Sequence, residues 1–421
     1  MNRAWRRRTG MTLAALALAA NYTPWACALR ALPDTLTLSC GQTSVVQTGP
    51  LMRATAREGA VQVASLSGER LCDVQVSAVG GGEDSVTFSL LGLIPLHETR
   101  VNVNGARTLI PGGQAVGVAL KTQGVLVVSK TAHSSAKSPL RAGDVILSVE
   151  GEAVASAASL SERLNALDSD TASLCVLRAG RRMTLQAQTP ADASDGRRRL
   201  GVWVRDSTAG VGTLSYVDPQ SGVYGALGHA IVDADTGETL TVQDGALMRA
   251  TVVGITRGGS GRAGELRGSF LKEGEQIGTL MVNGAYGIYG RMEGAPEGLL
   301  YPQGLPVGSR SAVHPGAASI LSTVDGQGPQ EYSIEIVRCF SQDAPSQKGM
   351  ILRVTDERLL EKTGGIVQGM SGSPILQDGR IIGAVTHVYL NDSTQGYGMY
   401  IEWMLEQSDR IGGHNDQANA A

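Results

Sequence analysis

Apolar and polar positions alternate with a period of two along much of the chain. Between residues 33 and 108 the stretches "LTLSC", "GAVQVASL", "CDVQVSAV" and "SVTFSLLGLIPL" are separated by glycine and polar clusters. Alternation with such breakers predicts a small antiparallel β unit. The period changes at "SLSERLNAL", where Leu160, Leu164 and Leu167 recur at i, i+4 and i+7 and Ser159 and Glu162 have capping-box spacing. A short amphipathic helix is predicted there. From about Gly201, in "GVWVRDSTAGVGTLSYVDPQSGVYGALGHAIVDADTGETL", valine, tyrosine and threonine alternate with turn pairs such as Asp218-Pro219, and no helical period appears before about Asp356. That run predicts a β-barrel or sandwich. The polar stretch after Leu405 reads as a poorly ordered tail, set at 408–421.

Composition supports the same class. A chain of 421 residues is too long for one ordinary domain, and 55 glycines with only 4% aromatic residues imply many tight turns and an aliphatic core. The expected fold is mainly β in three parts. These are a small β region over 29–108, an α+β domain over 109–192 and a β-barrel domain over 193–407.

Charge bears on the N-terminus and little else. Arg3, Arg6, Arg7 and Arg8 precede the apolar run Met11–Ala20, then Pro24 and the small triplet Ala26-Cys27-Ala28. Residues 1–28 therefore read as a secretory signal, or as a retained membrane anchor. Without them the chain loses four arginines and no acid, taking its formal charge from −3 to −7. Such a balance excludes nucleic-acid binding by charge. Cys27, Cys40, Cys72, Cys175 and Cys339 are scattered with no C-x-x-C pair, so neither a disulfide scaffold nor a zinc site is expected and buried free thiols are.

The chemistry concentrates in "GGIVQGMSGSPILQDGRIIGAVTHVYL", residues 364–390. Two apolar strand-like segments flank Gly369-Met370-Ser371-Gly372-Ser373-Pro374. Glycines at 369 and 372 allow the backbone to fold tightly and turn N–H groups into one small space, as an oxyanion site requires. Ser371 between them is the candidate nucleophile. It needs a base, and of His97, His133, His229, His314, His387 and His414 the first choice is His229, after a glycine in "GALGHAIVD". His387, in the strand after the turn, is the competitor, although a lone histidine in an apolar strand is more often a core residue.

Three resemblances sharpen this reading. "LIPGGQAVGVAL", "GVLVVSK", "SPLRAGDVILSVEGEAV" and "SLSERLNAL" together resemble a PDZ domain. That implies a partner peptide added as a strand near Val116–Leu120, with its carboxylate held by the loop Gly113, Gln114, Ala115, Val116 and Gly117. Gly-x-Ser-Gly-x-Pro resembles the nucleophile turn of trypsin-like serine peptidases, which implies Ser371 as nucleophile and the N–H groups of Gly369 and Ser371 as oxyanion donors. Met370 stands where trypsin relatives carry the aspartate that receives a new N-terminus, so activation by that ion pair is not expected. Finally, "VWVRDSTAGVGTL", "GALGHAI", "GRAGELRG", "TGGIVQGMSGSPI" and "GAVTHV", together with the segments above, resemble the SpoIVB peptidase family of endospore formers.

The family resemblance implies a serine endopeptidase with the triad His229, Asp356 and Ser371, and no cofactor or metal. It also implies export from the forespore to the intermembrane space, cleavage of a membrane-bound regulator of an intramembrane metalloprotease and of itself, and, through that cut, processing of a mother-cell sigma-factor precursor. Read from the residues alone, Asp356 in "ILRVTDERLL" is as well a cap of the helix starting near Glu357. Asp206, Asp233 and Asp235 stay open as orienting acids.

Other motifs carry less. Gly259-Ser-Gly261-Arg-Ala-Gly264 matches G-x-G-x-x-G but lacks the apolar helix that must follow. Asp235-Thr236-Gly237 has no second D-[ST]-G, and Asp233, Asp235 and Glu238 lack a calcium loop. Neither H-E-x-x-H nor G-x-x-x-x-G-K occurs, and residue 373 is serine, which excludes G-x-S-x-G. The alternative reading is a PDZ-bearing adaptor whose peptidase-like barrel has lost catalysis.

Overall fold

The computed structural model describes residues 24–39, 43–49, 51–57, 59–67, 72–79, 82–104, 107–131, 138–259, 261–270, 276–294, 296–342, 344–389 and 391–412. The expectations for residues 1–23, Cys40, His133 and residues 413–421 lie outside them. The chain is mainly β and divides into two compact units, Met1–Thr108 with Pro306–His314, and Leu109–Leu305 with Pro315–Ala421.

The first unit opens with helix α1 (Pro24–Arg30). Strands β1 (Thr35–Ser39), β2 (Thr43–Thr48), β3 (Met52–Ala56), β4 (Val61–Ser67), β5 (Cys72–Ala78), β6 (Gly82–Leu90) and β7 (Ile94–Asn104) follow. They form a sheet in the order β1-β7-β6-β3 and another in the order β2-β5-β4. The predicted alternation is visible in β2, whose residues are exposed and buried in strict turn. Leu38, Val46, Val74, Val76, Phe88 and Val101 share one core, and the Ser309 hydroxyl donates to the Thr37 carbonyl at 2.5 Å.

The second unit is built on one long strand. After β8 (Thr108–Pro111), β9 runs over Ala115–Lys130. Next come β10 (Val145–Val149), β11 (Glu152–Ala153), helix α2 (Ala157–Asn165), β12 (Thr171–Arg178), β13 (Arg181–Gln188), β14 (Val202–Val217), β15 (Val223–Ala226) and β16 (Val242–Arg249). The hairpin β17 (Thr251–Thr256) and β18 (Glu265–Ser269), then β19 (Gln276–Gly284) and β20 (Gly287–Met292), complete this half. The first part of β9 pairs with β14 on one side and β16 on the other, and the order β9-β16-β19-β20-β15-β14 returns to β9. These six strands close around Val116, Val118, Leu120, Leu214, Tyr224, Leu247, Leu280 and Ile288. The second part of β9 joins β10, β12, β13 and α2 around a separate core that includes Val125, Ile146, Leu160, Leu164 and Leu174.

Strands β21 (Leu305–Pro306), β22 (Gly316–Ser322), β23 (Gln330–Cys339) and β24 (Met350–Val354) lead to helix α3 (Glu357–Thr363). Strands β25 (Pro374–Gln377), β26 (Arg380–Val388) and β27 (Gln395–Tyr400) and helix α4 (Ile401–Gly412) end the described chain. A second closed barrel runs β22-β23-β24-β27-β26-β25.

Several expectations are corrected. The loop Gly113, Gln114, Ala115, Val116 and Gly117 does not hold a ligand carboxylate. Gly113 N–H donates to the Leu214 carbonyl at 2.8 Å, the Gln114 carbonyl accepts from Leu214, and Val116 and Gly117 are paired on both edges by β14 and β16. A strand with both edges occupied cannot add a peptide. The stretch carries the alternation of a barrel strand, and period two does not say which sheet a strand joins. The cap of α2 is Ser156, with Ser159 as its capping-box partner, in place of Ser159 and Glu162. Helix α4 extends into the stretch read as tail, because Trp403, Met404 and Leu405 are buried and Ser408 is 1% exposed. Cys27, Cys175 and Cys339 are free thiols but none is fully buried. Among the described residues no helix is long and apolar enough to cross a membrane, and no group of three or more His, Cys, Asp or Glu side chains could hold a metal.

Candidate active site

The turn before β25 lies against the first barrel, and the close approach depends on glycine. A Cβ on Gly372 would stand 2.2 Å from the Thr213 carbonyl oxygen and 2.5 Å from the Leu227 nitrogen, and its φ is 95°. Thr213, in β14, ties the turn down twice: its N–H donates to the Ser371 carbonyl at 3.1 Å and its hydroxyl to the Gly369 carbonyl at 2.8 Å.

Within the turn the N–H groups divide into two sets. Those of Met370, Gly372 and Ser373 donate to the carbonyls of Val367, Val385 and Met370. Those of Gly369 and Ser371 donate to no group among the described residues. These are the two donors expected to hold an oxyanion. Both residues are half-buried, so these two N–H groups remain available to a ligand at the surface of the turn. Met370 is fully buried, and of the two serines Ser373 is buried while Ser371 reaches the surface.

The Ser371 hydroxyl donates to the Thr386 carbonyl at 2.9 Å rather than to an imidazole. Thr386 is followed in β26 by His387, whose ring lies 5.8 Å from that of His229, tilted by 42°. His229 is carried by the corner after β15, where Leu227 and Gly228 have φ of 68° and 71°. A Cβ on Gly228 would stand 3.1 Å from the Thr386 side chain, so this corner packs on β26. His229 Nδ1 lies 2.9 Å from the Ala230 carbonyl. A carbonyl only accepts, so Nδ1 carries a proton, and in the neutral ring Nε2 then holds the lone pair that a general base requires. The fold thus brings Ser371, His229 and His387 to one place, from both barrels.

No acid joins them. Asp356 is the N-cap of α3, and its carboxylate accepts from the N–H groups of Arg358, Leu359 and Ser333 and from the Arg358 guanidinium at 2.8 Å. Those Arg358 bonds, against the opposing effect of burial, hold its carboxyl below the usual range. Asp206 accepts from Ala157 N–H at 2.8 Å, and Asp233 and Asp235 are both paired with Arg205. The orienting role that the family resemblance gives Asp356 is filled at His229 Nδ1 by the Ala230 carbonyl. Asp356→Ala is expected to lower stability by about 1–3 kcal/mol through lost cap and orphaned donors, measured by denaturant unfolding. A large loss of activity with stability unchanged would contradict the capping role.

Sequence reading missed Thr213, Ala230 and Thr386. The contacts of Ala230 and Thr386, and one of the two from Thr213, run through backbone groups, which any residue type supplies; the Thr213 hydroxyl is specific, but its partner lies far away in sequence.

His387 Nδ1 is buried with no hydrogen-bond partner. Burial first, then the nearby His229 and Lys348 charges, push its pKa below the ordinary imidazole value of 6.5. Such a group binds more protons unfolded than folded. Stability should therefore rise with pH through the window just below 6.5 and be lost as pH falls through it. His387→Gln should flatten that slope in melts taken across the window, and an unchanged slope would assign it to other groups.

A serine on a glycine turn, two open N–H donors and an imidazole are the groups that an acyl-transfer reaction uses. Residues 196–405 match the family model of SpoIVB peptidase S55, and through that segment the chain belongs to the family and is a peptidase. Among solved structures, the crystal structure of the Rv3671c protease from M. tuberculosis in its active form is 14% identical, covering 49% of this chain and 75% of that one with a TM-score of 0.29. At that score the likeness carries no argument. No curated protein matches the chain significantly.

Proposed function

We propose that the protein is a serine endopeptidase in which Ser371 is the nucleophile and His229 the general base. The observation that carries this reading is the Ser371 turn itself, with its hydroxyl at the surface and the N–H groups of Gly369 and Ser371 open. In the reaction the hydroxyl leaves the Thr386 carbonyl and gives its proton to His229 Nε2. Oγ then attacks the scissile carbonyl, and the resulting oxyanion is held by the two N–H groups. The protonated imidazole, with its Nδ1–H on Ala230, delivers the proton to the leaving amine. Water then hydrolyses the acyl-enzyme by the same path. As described, the enzyme rests with its serine turned away from the base.

The substrate we propose is a membrane-bound regulatory protein, and the enzyme itself, cleaved after export from the forespore so that a mother-cell sigma-factor precursor is processed. Membership of the SpoIVB family and the basic-apolar sequence of residues 1–28 support this setting. The hydroxyl parked on Thr386, and the lack of an acid paired with either histidine among the described residues, favour, as a second reading, an adaptor without activity.

A fluorophosphonate probe followed by peptide mapping separates the two. The expected result is one adduct, on Ser371, formed at least about tenfold more slowly in His229→Ala and nearly unchanged in His387→Gln. An adduct elsewhere, or none with a folded protein, favours the adaptor.

A further inference from the structure

The hairpin joining β6 and β7 turns through Leu91, Gly92 and Leu93, a composition that water-facing turns avoid. Leu91, Leu93 and Ile94 expose 55%, 81% and 57% of their surface, and Leu51, just before β3, exposes 63%. The Leu51 carbonyl accepts from Leu91 N–H at 2.8 Å, so the four aliphatic side chains share one end of the sheet. Leu51 and Leu91 also have φ of 71° and 54°. A bulky side chain is strained in that left-handed region, where glycine or asparagine sits more easily. Two positions that favour small or polar residues thus carry exposed leucines.

The surroundings point to one occupant. Residues 49–57 and 85–97 contain no acid, and the Arg53 side chain lies against the turn, 3.5 Å from where a Gly92 Cβ would stand. The same unit begins at α1, with Leu29 against its core, and the sequence entering α1 carries Arg3, Arg6, Arg7, Arg8 and the apolar run Met11–Ala20. Basic residues beside exposed aliphatics are the combination that binds the interface of an anionic bilayer. The feature is a turn, not a groove or a free strand edge that a second chain would fill.

We propose that Leu51, Leu91, Leu93 and Ile94 form a membrane-docking tip. It places its aliphatic side chains in the interfacial layer while Arg53 extends to the headgroups, and it is a contact separate from the N-terminal segment. Its effect is to hold the first unit at the bilayer in a fixed orientation.

The test uses the full chain with Leu93→Trp, and with Val45→Trp as control on β2, where Val45 is 53% exposed. Vesicles of phosphatidylcholine and phosphatidylglycerol in equal parts are prepared with and without bromine on the acyl chains. Emission of the parent, with its four tryptophans, is subtracted from that of each variant. The expected result is that the Leu93→Trp emission moves to the blue and is quenched about twofold by the brominated lipid, while the Val45→Trp emission stays unquenched. An unquenched Leu93→Trp signal in vesicle-bound protein overturns the proposal and assigns the tip to a protein partner. Equal quenching of both variants, or no cosedimentation with vesicles, overturns it as well. Unchanged melting of both variants confirms that folding is not the cause. None of these readouts depends on peptidase activity.

Discussion

Replacing Ser371 with alanine is expected to lower peptide-bond hydrolysis by at least about a thousandfold while leaving the melting transition within a degree or two of the parent. In the proposed mechanism the Ser371 hydroxyl forms the acyl bond, and the neighbouring Ser373 is buried and cannot replace it. Its structural role is small. It donates to the Thr386 carbonyl at 2.9 Å, at the surface, where water can substitute. The measurement is intact mass of the purified full chain over time, beside the parent and His229→Ala. Self-cleavage lost in both variants supports the proposed mechanism. Self-cleavage that continues in folded Ser371→Ala removes Ser371 from it.

Gly372→Ala is expected to be far more damaging to the fold than the loss of the nucleophile. The added methyl would meet the Thr213 carbonyl oxygen at 2.2 Å and the Leu227 nitrogen at 2.5 Å, both backbone atoms of the first barrel, and φ at this position is 95°. Neither barrel can yield without giving up the hydrogen bonds from Thr213 to Gly369 and Ser371. Overpacking and left-handed strain together should remove at least about 3 kcal/mol of stability, read from denaturant unfolding. Activity should be lost with it, since the same displacement moves the Gly369 and Ser371 donors. A variant that folds with parental stability would show that the turn does not sit on β14 as described. Gly379→Ala serves as the contrast, because a Cβ there meets no atom within 4 Å and only its φ of 69° resists the change.

Much of this site is readable in the chain order. Ser371 and the Gly369 and Ser371 donors follow from the glycine spacing. His229 follows from its place after a glycine at a strand end, and the helix at Glu357 with Asp356 before it follows from local capping preference. Each of these depends on neighbours within a few residues. The assignments that did not carry through involve groups far apart in sequence. Asp356 is attractive as a triad acid only if it folds back toward His229, and its carboxylate is instead filled by Arg358 and by the first N–H groups of α3. Thr213 stands 158 positions before Ser371, and nothing local to either residue says that one ties down the other.

The sequence by itself determined the mainly β character, the two apolar strands around the Ser371 turn, the helix capped before Ala157 within a few residues, and the candidate for the nucleophile. All of these rest on periodicity and on backbone preferences of glycine, serine and aspartate. Tertiary structure alone decided that Ala115–Leu120 closes a barrel instead of lining a peptide groove, because a strand's alternation specifies a buried face and leaves its neighbours unspecified. It also decided that a backbone carbonyl, at Ala230, orients His229. Backbone carbonyls are present at every residue, so only the fold can choose which one is brought to the ring.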